Sequence, residues 1–130
     1  MQLLKFSLVI LFLFTVQFAI GQDGKIEQLK RTFLIENLDL SPQEADKFFV
    51  IYNEYDSKKR ELKKALKREV SNGSDKEMRV ERILDQKQEV LNLQKEYYQK
   101  LSQVIPESKL VKLEGLENEF RKMLYQRLKD

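Results

Sequence analysis

Carboxylates and lysines supply most of the reactive side chains here, because the chain contains no histidine and no cysteine. That composition removes the imidazole bases, the thiolate nucleophiles and most transition-metal ligand sets. The carboxylates fall on polar faces with cations nearby: Glu54 with Lys58 and Glu96 with Lys100 four residues away, and Glu77 and Glu81 beside Arg82. Such spacing gives solvated helix-surface pairs worth about 0.2–0.5 kcal/mol each, and it does not bring two carboxylates together for acid–base work. No glycine-rich loop is present to cradle a phosphate, and Gly115 stands alone inside a helical pattern. Neither a catalytic constellation nor a metal or other cofactor site is expected.

More informative are polar residues that fall within apolar stripes. Lys59 lies on the line joining Tyr52, Tyr55 and Leu66. Lys87 and Gln94 occupy the centre of a stripe running from Val80 to Leu101, and Glu117 and Arg127 interrupt a third stripe. Three arrangements fit this pattern. The long side chains snorkel at the stripe edge, or they form a mixed apolar and charged surface that holds a partner, or they make buried ion pairs that fix helix register.

The elements that carry these residues read as helices throughout, so the expected fold class is all-α. A short helix is predicted over Lys25 to Asn37, with Ile26, Leu29 and Phe33 on one face. Leu38-Asp-Leu-Ser-Pro-Gln-Glu44 then marks a helix start. Ser41 supplies a capping hydroxyl, Pro42 suits the first helical position, and Glu44 reaches back to complete a capping box. This second helix runs to about Val70, its stripe being Ala45, Phe48, Tyr52, Tyr55, Leu62, Leu66 and Val70. Phe48 to Tyr52 is an unbroken apolar run that cannot all face one way. It predicts that Phe33, Leu34, Ile35 and Leu38 fold over Phe49 and Ile51.

Ser71-Asn72-Gly73 ends the second helix, and Asn72-Gly73-Ser74 is better read as a turn than as a glycosylation site. Ser74-Asp75-Lys76-Glu77 opens a third helix with another capping box, extending to about Ile105 before Pro106. A fourth covers about Ser108 to Leu128, with Leu110, Leu113, Leu116, Phe120, Met123, Leu124 and Leu128 on its stripe. Together these predict a short N-terminal helix, a long antiparallel hairpin and a closing helix, elongated or cradle-like, with homodimerisation burying the leftover stripe.

Lys5 followed by the apolar run Phe6 to Ile20, then Ala19 and Gly21, reads as a secretory signal cleaved between Gly21 and Gln22. Residues 22–130 are then a single domain. Its charges alternate in sign without a basic stripe, which argues against nucleic-acid binding. Export without cysteine means that helix packing alone must hold the domain, and no cysteine follows the signal to take a lipid. A periplasmic location is expected.

With these features in place, Leu40-Ser41-Pro42-Gln43-Glu44 resembles the Leu-Thr-x-x-Gln signature of the Spy/CpxP family of periplasmic stress proteins, with Glu44 at the glutamine position. Ile105-Pro106-Glu107-Ser108-Lys109 is similar to a weaker second copy. The Leu-Asp-Leu-Ser-Pro-x-Glu-Ala segment, followed by aromatics and Tyr52-Asn-Glu-Tyr55, looks closest to Bacteroidetes-type members described as sensors associated with ECF-type sigma factors. The resemblance implies a non-enzymatic envelope-stress protein that binds unfolded clients or a membrane regulator such as an anti-sigma factor. No small-molecule substrate is implied. The expected partner surface includes Phe48, Tyr52, Tyr55, Lys59, Lys87, Gln94 and Tyr98. The alternative is a structural helical scaffold or dimerisation module in the envelope.

Overall fold

The computed structural model describes residues 22–72 and 76–130. The signal segment 1–21, and Ser74 with its capping box, lie outside the described residues. Among the described residues five helical segments follow in order: α1 (Gln22–Leu38), α2 (Pro42–Asn72), α3 (Lys76–Leu101), α4 (Glu107–Leu110) and α5 (Leu113–Lys129). Among the described residues there is no strand, and the fold is all-α.

The α1–α2 junction is built from local hydrogen bonds at every step. Asp39 takes a left-handed conformation, φ 51°, and the Leu40 N–H donates to the Ile35 carbonyl at 3.1 Å. This is a Schellman-type helix end with aspartate in the place usually held by glycine. Three residues on, the capping box is reciprocal: the Ser41 N–H donates to Glu44 Oε1, and the Glu44 N–H donates to Ser41 Oγ, both at 3.1 Å. Pro42 is the first residue of α2. One helix is thus stopped and the next started within four residues, which folds α1 back over α2.

That fold-back buries the apolar run from two sides. Leu34, Leu38, Phe48, Phe49, Tyr52 and Tyr55 enter one core with Tyr97, Leu101, Ile105, Leu110 and Leu113, and Phe33, Ile35 and Ile51 pack against it. Val50 alone of the run points to solvent. The aromatic rings form a ladder, Phe48 on Tyr52 at 5.2 Å, Tyr52 to Tyr55 at 6.2 Å and Tyr55 to Tyr97 at 5.6 Å. Burying each such side chain contributes about 1.5–3 kcal/mol. The core face of α1 is Leu34 and Leu38; Ile26 and Leu29 from the expected stripe remain exposed, and Leu29 lies with Phe33 on the side that faces Phe120 and Met123 of α5.

α2 and α3 run antiparallel. Tyr55 meets Tyr98, the Leu66 carbonyl accepts from Gln86 Nε2 at 2.8 Å, and Glu69 pairs with Arg82 at 3.4 Å, so numbers rise on one helix as they fall on the other. Two boundaries differ from the sequence expectation. α3 ends at Leu101 instead of Ile105, and a turn closes with the Ile105 N–H donating to the Leu101 carbonyl at 3.0 Å. The residue before a proline is pushed out of helical geometry, so Pro106 acts earlier than its own position. The last helix is also broken, at Val111–Lys112, between α4 and α5. Leu110 and Leu113, on either side of the break, are both in the core.

Candidate binding face

The sequence-singled polar residues separate into distinct environments. Lys59 Nζ donates to Glu117 Oε2 at 3.0 Å, with the two side chains only 13% and 8% exposed, and the ammonium also lies 4.8 Å from the Tyr55 ring centre. Of the three arrangements, this is the buried ion pair. It pins α5 against α2, although desolvating both charges offsets much of their attraction. The Tyr52 hydroxyl is buried close to the Glu117 carboxylate. Burial raises its pKa first, and the charges of Glu117 and Asp56 add to that.

Phe48 and Tyr52 do not join a partner surface. Both are buried in the core, so the expectation that they meet a partner is corrected: α1 covers the side of α2 on which they lie. Tyr55 is also almost wholly buried, although its edge lines a small cavity with Lys59, Gln94 and Glu117. Burial raises the pKa of Tyr55 and of Tyr98.

The remaining three residues converge on open space. Lys87 and Gln94 line a cavity of about 760 Å³ between the distal halves of α2 and α3, together with Leu66, Val70, Val90 and Leu91. Gln94 and Tyr98 line a second, of about 1000 Å³, between α3 and the α4–α5 segment. Leu91, Gln94 and Glu114 border both, so the two cavities adjoin along α3. Sequence reasoning missed Lys63, Lys67 and Glu114, which line the first cavity. Lys63 and Lys67 fall beside Leu66 on α2, and only the pairing of α2 with α3 turns that face into a wall. Burial lowers the Lys63 pKa, and the like charges of Lys59 and Arg121 lower it further.

The two signature-like segments meet in space. Lys109 Nζ donates to the Asp39 carbonyl at 2.6 Å and to Glu44 Oε1 at 3.0 Å. Leu40 and Ile105, which open the two segments, are both in the core. Lys109 therefore ties α4 to the α1–α2 corner, and Ser41, Pro42 and Gln43 remain exposed around that corner. Its donation to Glu44 is the first cause of that carboxyl lying below its ordinary range, followed by the Ser41 N–H. These residues act here as capping and cross-linking groups.

Among the described residues no cluster of three or more potential metal ligands occurs, and no helix is long and apolar enough to cross a membrane. No family model, curated protein or solved structure matches the chain.

Proposed function

We propose that this chain is an exported, non-enzymatic envelope protein of the Spy/CpxP type, located in the periplasm, that works by binding other proteins. The observation that carries the reading is the adjoining pair of open cavities along α3, where aliphatic side chains and lysines share one face. A mixed surface of this kind gives weak multi-point apolar contact, and its charges keep it soluble between binding events. In this reading the hairpin forms the concave side of a cradle, as a monomer or across a homodimer. The partner is an unfolded client or the periplasmic domain of a membrane regulator linked to an ECF-type sigma factor.

The test is suppression of aggregation. The exported protein, at several-fold excess and without ATP, is expected to delay light scattering from a chemically denatured model protein. Leu91→Asp, at an exposed position of the face, is expected to weaken that effect while leaving the helical circular dichroism unchanged. Absence of any delay, together with failure to capture a membrane regulator from envelope extracts, removes the reading.

A further inference from the structure

We propose that the trough along α3 takes an amphipathic helix whose polar flank is acidic; this rests on the protein-binding reading above and names the partner's chemistry. Val80, Leu84, Lys87, Leu91, Gln94 and Tyr98 follow one another at alternating four- and three-residue spacing. That is the seam by which one helix interlocks with another. Val80, Leu84 and Leu91 are 58%, 60% and 56% exposed, and Lys87, Leu91 and Gln94 line the distal cavity, whereas Tyr98 at the far end of the seam packs against Tyr55. From Ile83 to Gln99 the two cavities extend along about 24 Å of α3 at the helical rise, the length of a helix of about 17 residues.

Charge decides which helix. Lys63, Lys67 and Lys87 converge on the distal cavity, and among the described residues none of them makes an ion pair. Glu114 is the one carboxylate among the described residues lining that cavity. Lys87 sits within the seam itself, where a docked helix would remove it from water. A lone buried ammonium is costly, so the occupant must supply a counter-charge. A second copy of the chain fits less well, because its α3 seam brings a further Lys87 and its flanks mix both signs, Glu81, Asp85 and Glu89 with Arg82 and Lys95. An acidic amphipathic helix meets the apolar positions and the lysines together.

The experiment is fluorescence anisotropy on the full exported protein with labelled synthetic peptides of about 20 residues. One is a leucine-seamed helix with glutamate flanks, one the same helix with lysine flanks, and one has the acidic composition interrupted by prolines. The acidic helix is expected to bind at least about tenfold more tightly than either of the others. The exposed-site double variant Lys63→Glu/Lys87→Glu is expected to reverse the preference towards the lysine-flanked helix. Equal binding of the acidic and basic helices, equal binding of the proline-interrupted peptide, or an unchanged preference in the variant overturns the proposal. So does saturation by oleate with no peptide bound, or sedimentation as a dimer that excludes the peptide. If aggregation suppression persists while the acidic helix fails to bind, only this assignment falls; loss of both removes the protein-binding reading as well.

Discussion

Glu44 does three things at once, and its protonation state links them. It accepts from the Ser41 N–H, receives Lys109, and through Lys109 is joined to the Asp39 carbonyl. Its carboxyl is held below the ordinary 4.5, first by the Lys109 hydrogen bond and then by Ser41. The folded state therefore favours the carboxylate more than the unfolded chain does. The resulting stability is fully present above 4.5 and is lost as the pH falls through the lowered folded value. Glu44→Gln keeps an acceptor for the Ser41 N–H but removes the charge. The difference in melting temperature between wild type and Glu44→Gln is expected to shrink as the solution is acidified through that window. In Lys109→Ala, the Glu44 carboxyl titration followed by NMR is expected to move up towards its ordinary value.

Among the elements, α5 carries a residue that works against it. Gly115 lies inside the helix, is exposed, and has no atom within 4 Å of where a Cβ would sit. Glycine in a helix interior costs about 0.5–1 kcal/mol relative to alanine, mostly through the freedom of the unfolded chain. Gly115→Ala is expected to stabilise the protein by about that amount in urea denaturation, with an unchanged slope. α5 can tolerate this weakness because it is held from outside. Lys59 grips Glu117, and Phe120 packs against Phe33 with ring centres 5.5 Å apart. Its position is thus set by contacts to α1 and α2 more than by its own propensity.

For the molecule as a whole, apolar burial is unevenly distributed along the helix pair. The core gathers around Phe48 to Tyr55 and Tyr97 to Leu113, and beyond Tyr55 the only buried residue of α2 is Leu66. Of the described α3 residues before Tyr97, none is buried. Local opening free energy follows buried apolar contact, so the distal half is expected to open more readily than the core. Amides of residues 62–72 and 78–90 are expected to exchange at least about tenfold faster than those of 45–58 and 97–101 in native-state hydrogen exchange. Uniform protection along both helices would contradict this gradient. A readily opened distal half is also where the unpaired lysines and the exposed seam lie, so partner binding there would raise protection in that half alone.

The α1–α2 junction and its capping chemistry were determined by the sequence, because they depend on residues within a turn or two of one another. Ser41, Pro42 and Glu44 form the expected box, and the apolar run at Phe48 to Tyr52, Val50 apart, packs into the core that α1 shares. Periodicity also placed Lys87 and Gln94 on the face that remains open. Tertiary structure alone decided which part of each wide stripe is buried, since a helical wheel gives directions but not neighbours. It sent Phe48 and Tyr52 inward, broke the last helix at Val111–Lys112, and recruited Lys63 and Lys67 to the trough. It also joined Lys59 to Glu117 and Lys109 to Glu44 across separations of 58 and 65 residues. Pairings at that range depend on how helices pack and on chain geometry at the turns, neither of which is encoded in the local spacing of the residues concerned.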